Sequence, residues 1–203
     1  MMKYASERPA GLISRVIGSR LRKNALSLYA LHAKNYIIPL LTVPYLVRVL
    51  GPANYGLIAF VQSFLSYMLV IVGYGFQWSA TRRIAVDQHD PARYSETAAN
   101  TWAAKALLGV GALLIMAASI ACIPGLRRVA PLAVIMSGLI VGEVLLPAWL
   151  FQGLERMVSL AVAQLGMQLI YVLGIFVLVK SPDDILLYAG LLACQSLLSG
   201  ILG

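Results

Sequence analysis

Four long stretches of this chain carry no formal charge, and they constrain the fold more than any other feature. No Asp, Glu, Lys or Arg occurs from Val49 to Thr81 (33 residues), Ala106 to Leu126 (21), Met157 to Val179 (23) or Ile185 to Gly203 (19). A helix needs about 20 mostly apolar residues to cross about 30 Å of hydrocarbon, so each run is long enough. A transmembrane barrel is disfavoured, because barrel strands run only about 10 residues and alternate in polarity, whereas these runs are continuous. Of the 203 residues, 60% are hydrophobic and 12% charged, against about 45–50% and about 25% in soluble domains. Those fractions exclude a disordered chain and a disulfide scaffold and argue against a soluble enzyme. The fold class that remains is an all-α polytopic membrane protein.

Spans are expected near 25–47, 55–78, 100–122, 130–150, 158–179 and 185–203, six in all, behind a basic N-terminal segment at 1–24. The connectors have turn chemistry. Gly51-Pro52-Ala53-Asn54 reads as a tight turn between the first two spans. Asp90-Pro91 reads as a cap followed by Pro at the first helical position. Pro124-Gly125 breaks the chain before the fourth span, and Ser181-Pro182-Asp183-Asp184 repeats the cap logic before the sixth.

The net charge of +8 reads as a topology signal, not a nucleic-acid footprint, because the basic residues are distributed by loop. Lys3, Arg8, Arg15, Arg20, Arg22, Lys23, Arg82, Arg83, Arg93 and Arg156 fall on one side. Arg48, Arg127, Arg128 and Lys180 fall on the other. The positive-inside rule then puts the N-terminus in the cytoplasm. Within the N-terminal segment, Leu12, Ile13, Val16, Ile17 and Leu21 share helical spacing, which predicts a short amphipathic basic helix on the inner leaflet.

Charges inside hydrocarbon are costly, so each one needs a reason. Glu143 lies deep in the fourth span and has no partner in its own helix. Two readings stay open: a proton or cation site lining a cavity, or a paired or protonated carboxyl that fixes helix packing. Pro147 lacks an N–H, so it frees the carbonyl four residues back, which is that of Glu143 itself. Pro39 and Pro44 do the same for Asn35 and Leu40. Helices interrupted in this way line the path in many transporters, so spans one and four are expected to bend around a shared cavity. Lys34 is read equally as a snorkelling or a cavity residue. Lys105, nearer its span start, is expected to snorkel.

Soluble-type chemistry finds no foothold. Gly109-Val110-Gly111 lacks the third glycine of a dinucleotide loop and reads as a packing face. Cys122 and Cys194 have no His partner with metal-ligand spacing and read as packing residues. No enzyme activity, cofactor, metal or nucleic-acid partner is expected.

Several blocks together carry a family resemblance. They are Asn35-Tyr36 and the run from Pro39 through Pro44-Tyr45-Leu46-Val47-Arg48 to Pro52, Tyr55-Gly56 to Phe60, Tyr74-Gly75-Phe76, Ser79 to Ala85, Trp149 to Met157, and Lys180 to Asp184. In order and spacing this pattern resembles the bacterial polysaccharide flippases, the O-antigen and exopolysaccharide transporters of the multidrug/oligosaccharidyl-lipid/polysaccharide exporter superfamily. The resemblance implies a six-helix lobe of a MATE-like transporter in the bacterial inner membrane. It implies translocation of an undecaprenyl-pyrophosphate-linked oligosaccharide, with membrane lipids around it and polysaccharide polymerase or glycosyltransferase proteins as further partners.

A pyrophosphate head group calls for cations. The candidates are Lys34, Arg48, Arg82 and Arg83, with Asn35 and Gln152 as sugar-facing hydrogen-bonders, although Arg82 and Arg83 also serve as topology anchors. Glu143 is the candidate for ion coupling. Family members have two lobes, so this chain is expected to be a fragment that lacks the second. Two alternatives stand beside this reading: a drug or cation antiporter of the same superfamily, and a non-transporting membrane subunit of a polysaccharide synthesis complex.

Overall fold

The computed structural model describes the backbone of residues 10–202 and the side chains of residues 38–202. The side chains of Lys34, Asn35 and the expected amphipathic segment lie outside what is described. Within them the chain is helical throughout, with no strand. Among the described residues, five stretches are long and apolar enough to cross a membrane: Ile38–Asp87, Pro91–Cys122, Ala130–Gly153, Met157–Leu178 and Pro182–Leu202.

The first helix, α1 (Ala10–Gly73, 64 residues), would be ~96 Å long if straight, far more than a bilayer needs. It departs from helical geometry at Gly51, with φ 82° and ψ 157°, a region that costs glycine little and other residues much. The arms fold back on one another there, since Thr42 before the break and Gln62 after it line the same cavity. The sequence predicts a turn of four residues; one residue suffices, because Pro52 lacks the N–H a continuing helix would use. Backbone geometry stays helical through Pro39 and Pro44.

Tyr74 and Gly75, both at positive φ, end α1 and start α2 (Phe76–Asp87). The third helix, α3 (Pro91–Cys122), is capped as its sequence predicts. The Asp90 carboxylate accepts from Ala92 N at 3.1 Å and Arg93 N at 3.4 Å.

The fourth span is not one helix. It runs as α5 (Ala130–Met136), α6 (Gly138–Leu145) and α7 (Ala148–Gly153), preceded by the short α4 (Pro124–Arg128). Then come α8 (Met157–Leu178) and a 3-10 turn at Pro182–Asp184 that leads into α9 (Ile185–Leu202). In that turn the Asp184 carboxylate accepts from the backbone N–H groups of Lys180 and Ser181, each at 2.8 Å.

Leu46, Leu50, Ile58, Val61, Leu65, Met136 and Ile175 form the buried core. A smaller cluster of Ala80, Ile84, Ala98 and Trp149 joins α2, α3 and α7. Many large apolar side chains point outward, among them Leu107, Leu114, Leu169, Ile170, Leu173 and Val177. Water would penalise such faces, but lipid does not. Cys122 and Cys194 are free and lie on the exposed surface, so they are not the packing residues the sequence suggested.

Small residues set the closest helix contact. A Cβ added to Gly142 on α6 would meet the Ser196 backbone carbonyl of α9 at 2.7 Å, and one on Gly200 would meet Gly142 O at 2.8 Å. A Cβ added to Gly109 would meet Val144 Cγ2 at 2.5 Å, as expected of a packing face, whereas one added to Gly111 would meet nothing within 4 Å.

Candidate functional site

Two opposite charges meet inside the bundle. The Lys105 ammonium on α3 donates to Glu143 O at 2.5 Å and to Glu143 Oε1 at 3.2 Å, with Leu146 O at 3.5 Å. The Lys105 side chain is only 3% exposed, that of Glu143 35%. Lys105 therefore does not snorkel. A route to the surface would strand the carboxylate of Glu143, and the pair lowers the cost of both charges in a low dielectric.

The break in the fourth span makes this contact possible. Leu146 is extended (φ −68°, ψ 114°), the conformation that a following proline favours. Pro147 offers no N–H to Glu143 O, and the carbonyl turns to Lys105 instead. The freed oxygen expected from the sequence is thus present, and a side chain of this same protein satisfies it. The sequence held the signal for Lys105: its charge interrupts the apolar stretch of α3 and is opposite in sign to Glu143. Only packing joins residues 38 positions apart.

Glu143 also lines a cavity of about 190 Å³ with Gln164, Gln195, Ser196 and Ser199. A second cavity of about 310 Å³ adjoins it, sharing Leu192 and Gln195 and adding Gln62, Gln168, Tyr171 and Tyr188. Gln195 Nε2 donates to Gln168 Oε1 at 3.0 Å, and the Tyr188 hydroxyl interacts with Tyr171 and Gln62. Polar groups of this kind inside an apolar bundle hold helices together.

A larger cavity of about 550 Å³ opens between α2 and α3, lined by Phe76, Arg83, Arg93, Glu96, Asn100 and Thr101 among others. Thr101 stands one helical turn from Lys105 on the same face of α3, and Lys105 itself is not among the lining residues. The lining combines two guanidinium groups (Arg83, Arg93), two carboxylates (Asp87, Glu96), hydrogen-bonding side chains and one aromatic ring. Arg93 Nε also pairs with Asp90 Oδ2 at 3.3 Å.

The remaining sequence candidates are dispersed. Arg83 lines the α2–α3 cavity, while Arg82 is exposed and is not among its lining residues. Gln152 accepts a short hydrogen bond from Gln77 Nε2, tying α7 to α2. Thr81 Oγ1 donates to Trp149 O at 3.1 Å across the same contact. Arg48 is exposed beside the Gly51 break, separated from the Arg83 end by the 52–73 arm of ~33 Å. The structure therefore does not gather Arg48 and Arg83 into one site. Trp149 is buried with its indole N–H unpartnered among the described residues, and its ring packs edge-on against Trp102 at 5.8 Å.

Comparison with known proteins bears on this architecture. A family model described as "Polysaccharide biosynthesis protein" matches residues 21–203. A protein of Escherichia coli K12 is 33% identical over 187 residues, covering 90% of this chain and 44% of its own length. A Shigella dysenteriae protein is 33% identical over 167 residues, covering 81% of this chain and 41% of its own length. Both bear the name "Putative O-antigen transporter". The chain thus spans less than half the length of the curated relatives it matches. No solved structure matches it.

Proposed function

Because the chain belongs to the polysaccharide biosynthesis protein family, we propose that it forms one lobe of a transporter for lipid-linked oligosaccharides. The cargo is an undecaprenyl-pyrophosphate-linked sugar unit, moved from the cytoplasmic to the outer leaflet of the bacterial inner membrane for O-antigen or exopolysaccharide assembly. The observation that carries this reading is the 33% identity, over 90% of the chain, to the Escherichia coli protein named "Putative O-antigen transporter".

The α2–α3 cavity supports it physically. A flippase forms no covalent bond. It shields a diphosphate and a sugar from hydrocarbon while the polyprenyl tail stays in lipid. Arg83 and Arg93 suit the phosphates, Asn100, Thr101 and Glu96 suit sugar hydroxyls, and Phe76 suits the apolar face of a sugar ring. In this reading the Arg83 end faces the cytoplasm. The other half of the transporter completes the path, and rocking of the two lobes alternates access. Glu143, whose carboxylate borders an interior cavity, serves as the site of ion coupling. Lys34, Asn35, Arg48, Arg82 and Gln152 act in later stages of the path or as anchors of the fold.

The test is a chimera in which this chain replaces the matching segment of the Escherichia coli relative, expressed in a strain whose O-antigen depends on that relative. Restored O-antigen ladders on a lipopolysaccharide gel are expected. A chimera that reaches the membrane at normal abundance and restores nothing overturns the reading.

A further inference from the structure

The oxygens around Lys105 have the character of a cation site. Glu143 O, Glu143 Oε1 and Leu146 O converge on one point from the C-terminal end of a broken helix. That end carries the negative pole of the helix dipole, and Pro147 guarantees that at least one of the two carbonyls has no helical donor. Carbonyls at such half-helix ends, together with a carboxylate, are a donor set for hard monovalent cations. An ammonium with three N–H groups matches three oxygens one for one.

Access is also built in. Glu143 keeps about a third of its side chain exposed, and it borders the cavity of about 190 Å³ with Gln164, Gln195, Ser196 and Ser199. That space is large enough for water or a partly hydrated ion. Lys105 reaches the oxygens from α3, is sealed from solvent and is not among the residues that line this cavity. The seat therefore holds a tethered ammonium, and its carboxylate residue also borders a polar cavity.

We infer that these three oxygens form a monovalent-cation seat whose resident occupant is the Lys105 ammonium, and that withdrawing this side chain opens the seat to a free alkali-metal ion. The seat depends neither on the proposed cargo nor on the proposed transport cycle.

The experiment uses the full chain in phosphatidylethanolamine–phosphatidylglycerol nanodiscs. Its thermal unfolding midpoint is followed by Trp fluorescence in NaCl, KCl and choline chloride at equal ionic strength. Wild-type protein is expected to give one midpoint in all three salts. Lys105→Ala is expected to show a saturable upward shift with Na⁺ or K⁺ that choline does not give. Adding Glu143→Gln to that variant is expected to abolish the shift. Lys105→Met, which keeps much of the stem volume, provides the same reading if the alanine variant folds poorly. A folded variant with the same midpoint in all three salts overturns the proposal, as does a shift that survives Glu143→Gln. Failure of both Lys105 variants to fold in any salt overturns it too, because a free ion then cannot replace the ammonium.

Discussion

Lys105 Nζ sits 2.5 Å from the main-chain oxygen of Glu143 and 3.2 Å from its carboxylate, joining α3 to the broken end of α6. The two partners are unequally buried, at 3% and 35% side-chain exposure, and this asymmetry determines what each loses when the other is removed. Glu143→Leu leaves an ammonium sealed among helices with only carbonyls for company, at a cost of about 3–5 kcal/mol. Lys105→Met leaves a carboxylate that still faces a polar cavity, so it costs less. The double variant should recover part of the Glu143→Leu loss. Unfolding midpoints of the four proteins, read as a double-mutant cycle, check both the ranking and the coupling. Equal losses from the two single variants would remove the argument from burial.

Pro147→Ala restores an N–H that can donate to Glu143 O and compete with Lys105. We expect α6 to extend into α7 and the interior cavity to change shape. The protein should stay folded while O-antigen export by the chimera falls at least tenfold. Full export by Pro147→Ala would show that the break is not needed for transport.

Gly142→Ala places a methyl group against the Ser196 backbone, at 2.7 Å from its carbonyl. Backbone cannot yield as a flexible side chain can, so a loss of about 1–3 kcal/mol is expected. Gly166 and Gly190 are also helical, but nothing lies within 4 Å of an added Cβ. Alanine there should stabilise by up to about 1 kcal/mol through helix propensity alone. Thermal unfolding of the three variants in detergent separates contact from propensity. A neutral Gly142→Ala would contradict the close α6–α9 approach.

Gly51→Ala tests the chain reversal. No atom lies near the missing Cβ, so only the backbone at φ 82° and ψ 157° resists the change, at about 1–3 kcal/mol. Gly51→Asn should cost about as much, since asparagine tolerates the left-handed helical region and not this extended one. A neutral Gly51→Ala in measured midpoints would show that the reversal does not need glycine's backbone freedom.

Arg83→Ala should lower export by the chimera, because Arg83 lines the α2–α3 cavity. Arg82→Ala should leave it near normal, since that side chain is exposed and not part of the lining. Quantified O-antigen ladders decide this, with membrane abundance as the control. Equal defects would assign both residues to topology and not to the cavity.

Much of the fold is legible along the chain because the relevant physics is local. Charge-free runs about as long as a bilayer is thick predict spanning helices. Asp90-Pro91 and Ser181 to Asp184 cap as read, because a carboxylate and the N–H groups it accepts from are only two to four residues apart. The freed carbonyl at Glu143 follows from Pro147 by covalent structure alone. The reading of Lys105 as a snorkelling residue failed for the complementary reason. Burial is a property of the neighbouring helices, and the sequence around Lys105 does not say which of them lies alongside.

The sequence by itself therefore determined that the chain is a helical membrane protein, that helices start at Asp90-Pro91 and after Ser181, that the chain turns at Gly51-Pro52, and that Pro147 frees the carbonyl of a buried Glu143. Tertiary structure alone decided that the companion is Lys105, that Arg83 and Arg93 share a cavity from which Arg48 is remote, and that Gln152 binds Gln77. Hydrophobic patterning reports how often a residue meets lipid. It does not report which helix faces which, because that choice rests on glycine-sized gaps and polar pairings between positions distant in the chain.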